Sequence, residues 1–152
     1  MYHYTESVLQ NVWLKDGYVI RNTPYGKSVA IHDVEGLHRA IGKLIAQQPR
    51  LTGAQLRFLR KEMGMSQTAL ALLLGTSEQN VSLWERRGRI PKASDRLLRL
   101  LYLEHSNDKS PQIRVLIDRI NALDRGEGER IEFERKRTEW REAISKGHRG
   151  IV

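Results

Sequence analysis

Apolar residues form short runs before residue 33 and recur at helical spacing after it. Two of these runs, Val8–Leu14 and Tyr18–Ile20, flank Lys15-Asp16-Gly17, and an Asp-Gly pair between such runs predicts a hairpin. A turn is predicted at Thr23–Gly26, and the alternating Ser28–His32 is predicted to be a third strand. Residues 8–33 are therefore expected to form strands and turns.

A helix is predicted after these strands. Asp33 is a suitable N-cap, and the apolar residues beyond it keep helical spacing through about Gln48: Val34, Leu37, Ile41, Leu44 and Ile45. Pro49-Arg50 is the expected end of an N-terminal unit that spans residues 1–50.

Three short, capped helices are predicted next. Thr52, Ser66 and Ser77 each precede a helical run and can cap its N-terminus. Gly64 and Gly75 stand where helices end, because glycine adopts a positive φ without steric cost. The last two of these helices are joined by a short Gly-Thr-Ser turn, which is typical of a helix-turn-helix.

A leucine-rich helix is predicted beyond Arg89-Ile90-Pro91, a segment through which a helix cannot continue. It would begin at Ser94 or Asp95, and its leucines are more than one narrow core stripe needs: Leu97, Leu98, Leu100, Leu101 and Leu103. The excess predicts contact with a partner subunit as well as with the core. Residues 106–111 are interpreted as a linker before a helix over 111–123, with Ile113, Leu116, Ile117, Ile120 and Leu123 at helical spacing.

The C-terminal tail has two interpretations. Arg130–Arg137 begins with strand-like alternation, which favours a strand through Phe133. A frayed, charged helix that ends near Ile144 is the alternative. A solvated segment is the simpler role for this tail, and a dimer strand or a second nucleic-acid contact is the other one considered.

The charge of the chain favours a polyanionic partner. The formal net charge is +8, and the largest excess lies in residues 51–105, with 9 basic and 5 acidic side chains. Such a balance is typical of proteins that bind nucleic acid or an anionic membrane surface. There are no cysteines, which excludes disulfides, cysteine-ligated zinc and a cysteine nucleophile. No apolar run approaches the roughly 20 residues of a membrane span and no signal peptide is recognised, so a cytoplasmic location is expected.

Several residues of the second segment have a physical role in a helix-turn-helix. Ala71 is small where two helices must approach closely, and Val81 and Trp84 would anchor the second helix of the motif to the core. Over Thr52–Glu104 the chain resembles the Xre/Cro/phage-repressor family, through the matching strings Leu59–Gln67, Leu70-Ala71, Leu74–Ser77 and Val81–Gly88. The resemblance implies a five-helix, phage-repressor-like domain whose recognition helix enters the major groove of double-stranded DNA.

The resemblance also implies roles for individual residues. Base contacts are expected from the outward positions of the recognition helix: Gln79, Asn80, Ser82 and Leu83. Contacts to the DNA backbone or flanking positions are expected from Ser66, Gln67, Thr68, Ser77, Arg86, Arg87, Arg89 and Lys92. Arg60 and Glu85 resemble the structural ion pair of the family, and Glu85 is not assigned to DNA because phosphate would repel it.

The order of the two units, β-hairpins followed by a helix-turn-helix, is similar to the layout of MqsA-type antitoxins. Their N-terminal domain binds zinc through cysteines and holds the toxin. This chain has no cysteine, so the zinc site is not carried over. A toxin that binds the N-terminal unit stays an alternative partner.

Nothing in the sequence predicts catalysis or a cofactor. The five histidines are scattered, with no pair at the spacing of a zinc-binding helix, and are predicted to be surface or satisfied core residues rather than metal ligands. The aromatic residues of the N-terminal unit, Tyr2, Tyr4, Trp13, Tyr18 and Tyr25, are predicted to serve the core and strand pairing more than base stacking. No nucleophile elbow or phosphate loop is present in the sequence, and an enzyme is not expected.

The sequence therefore predicts a mainly α protein, α+β overall. Its predicted parts are an N-terminal β-containing unit (1–50), a helix-turn-helix domain (51–105), and a C-terminal helix with a charged tail that could dimerise (106–152). The expected function is sequence-specific DNA binding as a dimeric transcriptional repressor of a near-palindromic operator. An autoregulating antitoxin is the alternative.

Overall fold

Short antiparallel β-ribbons precede and follow a set of packed helices. The structure, a computed structural model, describes residues 1–107, 112–123 and 132–143. Its strands are β1 (Tyr2–His3), β2 (Trp13–Leu14), β3 (Tyr18–Thr23), β4 (Gly26–Ile31), β5 (Phe133–Lys136) and β6 (Glu139–Glu142). Its α-helices are α1 (Val34–Ala46), α2 (Gly53–Glu62), α3 (Gln67–Leu74), α4 (Glu78–Arg87), α5 (Lys92–Ser106) and α6 (Gln112–Leu123), and a single 3₁₀ turn covers Thr5–Ser7.

This architecture confirms the predicted fold class. The chain divides into two compact units, Met1–Arg114 and Val115–Val152. In the first unit, four helices, α2 to α5, lie in the predicted helix-turn-helix segment, and α1 packs against α2 and α5 as a fifth helix. In the parts of the chain that the structure describes, no helix has the length and apolar character needed to cross a membrane.

The predicted Asp-Gly hairpin is wrong. Strand β2 pairs with β1 rather than with β3, and residues 8–12 form no strand. The long hairpin instead joins β3 to β4 and turns at Pro24-Tyr25, within the second turn that the sequence predicted. Thr23 Oγ1 donates to the Gly26 carbonyl at 2.6 Å and closes this turn. The Asp-Gly segment is therefore a connection between two ribbons, since the strand that pairs with β2 is Tyr2–His3.

Local capping signals were more reliable than the strand signals. The Asp33 side chain accepts the Gly36 N–H at 3.1 Å at the start of α1. Thr52 and Gln55 form a reciprocal capping box at the start of α2, with distances of 3.0 and 3.2 Å. Gly64 and Gly75 both have positive φ, as predicted for helix ends.

The predicted start of α5 is wrong by two to three residues. The helix begins at Lys92 directly after Pro91, so neither Ser94 nor Asp95 is its cap. Asp95 is buried, and its carboxylate accepts the Leu51 N–H at 2.9 Å and Arg99 Nε at 2.6 Å. In a sequence, a short acidic residue that accepts a distant buried backbone N–H cannot be told from one that caps a helix. Asp95 does accept a backbone N–H, as a cap would, but that N–H belongs to Leu51. The hydrogen bond therefore joins α5 to the segment before α2.

The core of the first unit lies among α2, α3, α4 and α5. Its most deeply buried side chains are Leu56, Leu59, Leu70, Val81, Leu98 and Tyr102. Helix α1 approaches α5 so closely that a Cβ on Gly42 would overlap the Tyr102 ring. Burial raises the pKa of Tyr102, and the nearby Glu62 carboxylate raises it further, so this hydroxyl stays neutral. Gly42, which weakens the isolated helix by about 1 kcal/mol, is required by this packing.

The second unit contains a C-terminal ribbon. Strands β5 and β6 pair antiparallel, with Arg135 opposite Trp140, which confirms a strand through Phe133 and rules out a helix over residues 132–143. On one face Glu134 lies 3.4 Å from Arg141 and 3.9 Å from Lys136. Arg130, Ile131 and Ile144, which the tail predictions also include, lie outside the described residues, as do residues 108–111 of the predicted linker.

Candidate nucleic-acid interface

Helix α4 has one buried face and one polar face. The Ser77 hydroxyl caps it by accepting the Asn80 N–H at 3.2 Å. Val81 is 0% exposed and Trp84 is buried, so this edge of the helix is anchored in the core as predicted. Gln79 and Asn80 are exposed, whereas the other two predicted base-contacting residues, Ser82 and Leu83, are half-buried.

A buried ion pair joins α4 to α2. Arg60 Nη2 donates to Glu85 Oε1 at 2.8 Å, and Arg60 Nη1 donates to the Met65 carbonyl at 2.9 Å. The side chains of Arg60 and Glu85 are 9% and 5% exposed. The pair that the sequence predicted is therefore present, and with the Met65 contact it links α2, α4 and the segment before α3.

Gln67 belongs to the same network. Its Nε2 donates to Glu85 Oε2 at 2.9 Å, so each oxygen of the carboxylate accepts one hydrogen bond. Its side chain is half-buried and held at the N-terminus of α3. The predicted contact of Gln67 with the DNA backbone stays a prediction, and it would have to use the atoms that Glu85 does not engage.

Basic side chains cluster where α4 ends. Arg86, Arg87, Arg89 and Lys92 are all exposed. Gly88 has φ 73° and ψ −143°, a conformation open essentially to glycine alone, and Arg89 follows with φ 57°. These two positive φ values turn the chain sharply, so the four cations occupy the junction between α4 and α5 rather than continuing along one helix.

Comparison with known protein families finds a match for part of this arrangement. Residues 56–95 match the helix-turn-helix family model. The match covers α3 and α4 entirely, and it includes most of α2 and the start of α5. This family is a DNA-binding regulatory domain and not a family of enzymes. No curated protein and no solved structure matched the chain.

Within the helix-turn-helix, α4 holds the position of the recognition helix. Its Asn80 is oriented by a neighbour that the sequence analysis did not single out: Asn80 Nδ2 donates to Thr76 Oγ1 at 2.9 Å. Arg86 Nε donates weakly to the Ser82 carbonyl at 3.4 Å. Thr76 could have been found from the sequence, because it directly precedes the Ser77 cap and lies only four residues before Asn80.

Two of the polar residues at the N-termini of α3 and α4 already use their side chains to cap those helices. The Ser66 and Ser77 hydroxyls already accept backbone N–H groups, from Ala69 at 3.0 Å and from Asn80. Thr68 is exposed in the first turn of α3. The two serines are therefore helix caps first, and their contacts with DNA stay predictions.

Gly53 is a second residue that the sequence analysis missed. A Cβ at this position would lie 2.6 Å from the Trp84 carbonyl oxygen and would also overlap the Glu85 backbone. The start of α2 therefore packs directly on the backbone of the recognition helix. A glycine at the first position of a capped helix was the available signal, since glycine is a poor helix former there.

The histidines do not form a metal site in the described residues. His38 Nδ1 lies 2.6 Å from Glu62 and its Nε2 lies 2.7 Å from Tyr4 Oη. This chain of contacts joins the N-terminal residues, α1 and α2, beside an open cavity of about 340 Å³ that His38, Glu62 and Tyr102 help to line.

The aromatic residues of the N-terminal unit differ in their roles. Tyr4 is buried and Trp13 stacks on His3. Tyr25 is 100% exposed at the hairpin tip and serves neither the core nor strand pairing.

Proposed function

We propose that this protein is a sequence-specific transcriptional regulator that binds double-stranded DNA as a homodimer and represses from a near-palindromic operator. The observation that carries the proposal is the recognition helix α4 itself. Gln79 and Asn80 are exposed on its polar face, while Val81, Trp84 and the Arg60–Glu85 pair hold its other side in the core. A rigid helix with polar outward side chains is the element that reads base edges in the major groove.

Base reading is assigned to the outward face of α4. Gln79 and Asn80 can each pair with the N6 and N7 edge of adenine, and Leu83 can contact a thymine methyl group. Asn80 already donates one amide hydrogen to Thr76, which orients the amide before DNA arrives. Ser82 is half-buried and makes the smaller contribution. Discrimination at the bases facing Gln79 and Asn80 should therefore exceed that near Ser82.

Phosphate contacts are assigned to the basic junction between α4 and α5. The exposed Arg86, Arg87, Arg89 and Lys92 position the domain on the duplex without reading its sequence. Thr68 and the free atoms of Gln67 would contact the backbone at the N-terminus of α3, where the positive end of a helix favours phosphate. Ser66 and Ser77 flank these contacts as caps.

The dimer and the repressor role follow from the limited reach of one domain. A single helix-turn-helix reads few base pairs, and two copies placed one helical turn apart, about 34 Å, read a pseudo-palindrome. Leu100 on α5 is exposed, as are several aliphatic side chains of α6, which are surfaces that a second copy can cover. A dimer seated on an operator represses by excluding polymerase.

Selection of bound oligonucleotides from a random pool, followed by footprinting with the purified protein, tests the proposal. The expected result is one enriched motif with two inverted half-sites spaced by about one helical turn. Recovery of no motif, with equal binding of all duplexes, would remove sequence-specific regulation. The Gln79→Ala/Asn80→Ala double variant is the matched control, and it should enrich no motif while still binding the pool.

An antitoxin is the second candidate, and the β3–β4 hairpin favours it. Val19 and Ile20 are more than half exposed on this ribbon, and Tyr25 is fully exposed at its tip. A two-stranded ribbon offers unpaired edges to which another protein can add a strand. Co-expression of a small reading frame adjacent to the gene tests this idea: the wild type should rescue growth, and Val19→Lys/Ile20→Lys should not.

A further inference from the structure

A second cavity, of about 220 Å³, lies between residues 9–13 and helix α1. Leu9 and Ile45 line it and are buried, whereas Trp13 and Leu44 line it and are 56% and 64% exposed. All of its lining residues belong to the first compact unit and lie within the described range 1–107. Large apolar side chains that stay exposed around a concave surface are typical of a ligand site.

No charged side chain is among the described residues that line this cavity. Charged residues make up 29% of the chain, and the cavity beside His38 is lined by two carboxylates and an arginine. An ion that entered the uncharged cavity would lose part of its hydration without a counter-charge to replace it. The lining therefore selects an uncharged occupant.

Three amide side chains supply hydrogen-bonding groups along the cavity: Asn11, Gln48 and Gln55. Gln55 Nε2 donates to Gln48 Oε1 at 3.2 Å, and this contact uses the oxygen of Gln48 and none of its N–H donors. The Asn11 side chain is exposed and makes no hydrogen bond with the residues that the structure describes. A carbonyl oxygen on a ligand can therefore accept a hydrogen bond from these amides.

Gln55 also links the cavity to the recognition helix. Its Oε1 accepts the Thr52 N–H at 3.0 Å in the capping box that begins α2. Gly53, in the same turn, packs directly on the backbone of α4 at Trp84. A ligand oxygen that takes an amide hydrogen of Gln55 would compete with the contact to Gln48 and displace the turn on which α4 rests. The effect of a ligand would thus reach α4 through contiguous contacts.

We propose that this cavity binds a small, uncharged aromatic molecule that carries a carbonyl oxygen, and that its occupation weakens DNA binding. The ligand ring is expected to lie against Trp13, because His3 stacks on only one face of that indole, with 4.1 Å between the ring centroids. The volume of about 220 Å³ is below the roughly 300–1,000 Å³ of sites for drug-sized ligands, so a ligand with a single ring is expected. The effect on DNA binding rests on the proposed function, whereas the ligand site does not.

Three probes of nearly the same shape test the chemical class. Benzamide is uncharged, benzoate is an anion and benzamidinium is a cation. NMR spectra of the ¹⁵N-labelled full chain follow the Trp13 indole N–H, which is identified as the signal that Trp13→Phe removes. Benzamide should shift this signal saturably, with a Kd on the order of 1 mM for so small a ligand, and the two ions should bind about tenfold more weakly or worse. No shift with benzamide, or equal affinity for the three probes, would overturn the proposal.

The location of the site is tested with Leu44→Lys, which places a cation at an exposed lining position. Ala40→Lys adds the same charge one turn earlier on α1, where the side chain is exposed and does not line the cavity. Benzamide should bind about tenfold more weakly to Leu44→Lys and with unchanged affinity to Ala40→Lys. Circular dichroism checks the fold, and Asn11→Asp, which adds a charge without changing the shape of the side chain, gives the same test if Leu44→Lys does not fold. Equal affinities in the lining and control variants would refute this location.

Dilution of the protein alone tests the other occupant, a second copy of this chain. A cavity that is covered by a second copy would make the Trp13 signal move as the protein concentration falls from about 1 mM to about 50 µM. The proposal expects a signal that stays in place on dilution. Movement on dilution together with no response to benzamide would assign the cavity to self-association instead.

Fluorescence anisotropy with a duplex that carries the selected motif tests the effect on DNA binding. Saturating benzamide should weaken duplex binding by the wild type about threefold or more and leave that of Leu44→Lys unchanged. A wild type that binds both, with a duplex affinity that does not fall, contradicts the link to α4. A wild type that binds benzamide but no duplex refutes the proposed function and leaves the ligand site standing. A wild type that binds the duplex but not benzamide refutes the ligand site and leaves the DNA-binding role standing.

Discussion

Arg60 Nη2 lies 2.8 Å from Glu85 Oε1, and this contact couples the first helix of the helix-turn-helix domain to its recognition helix. Both side chains are almost completely buried, and Gln67 shares the second oxygen of the carboxylate at 2.9 Å. Glu85 is thus turned towards protein donors, which explains how an acidic residue is tolerated on a helix proposed to approach phosphate.

Loss of Arg60 should destabilise the fold. Arg60→Ala leaves a buried carboxylate without its cation, and removal of one partner of a buried pair costs about 3–5 kcal/mol. The free energy of unfolding, measured by urea denaturation, should fall accordingly. Arg57→Ala removes an exposed arginine from the same helix and should leave stability within about 0.5 kcal/mol. Equal losses in the two variants would contradict a special role for the buried pair.

Gly53 should not tolerate even a single methyl group. Gly53→Ala places a Cβ against the carbonyl oxygens of Trp84 and Glu85, and overpacking against backbone costs about 1–3 kcal/mol. This loss would outweigh the better helix propensity of alanine. Thermal unfolding should show a lower midpoint, and Ala54→Gly, one position along the same first turn, is the control for propensity alone. A Gly53→Ala variant as stable as the wild type would show that the two helices can separate freely.

The outward amides of α4 should carry specificity. Gln79→Ala and Asn80→Ala should each weaken binding to the selected site by about 1–3 kcal/mol and change little on random duplex. Thr76→Val should weaken the selected site as well, because it frees the Asn80 amide that Thr76 orients. Fluorescence anisotropy on the two duplexes measures both terms, and equal losses on both would refute base reading by these residues.

The basic junction should act on all sequences alike. Arg87→Ala should weaken selected and random duplexes by similar factors and lower the slope of log K against log salt by about one unit. Arg57→Ala, which lies outside the proposed interface, should leave the slope unchanged. An unaltered slope for Arg87→Ala would remove this residue from the phosphate contacts.

Much of the helical domain followed from local chemistry. The caps at Thr52, Ser66 and Ser77 and the glycine ends at Gly64 and Gly75 are interactions within a few residues, so the sequence alone predicted them. The fold class and the helix-turn-helix were predictable for the same reason, because helical spacing and turn residues are local properties.

Contacts between distant residues were decided only by the tertiary structure. The Asp-Gly signal at residues 16–17 predicted a hairpin, yet β2 pairs with β1, because strand pairing depends on which partner packing brings near. Asp95 looked like a cap and instead holds the Leu51 N–H, 44 residues away. The sequence by itself determined the helices, the caps and glycine ends of α2 to α4, and the chemistry of the α4 face. The tertiary structure decided the ribbon pairing, the role of Asp95 and the close approach at Gly53, since these depend on contacts that no local pattern encodes.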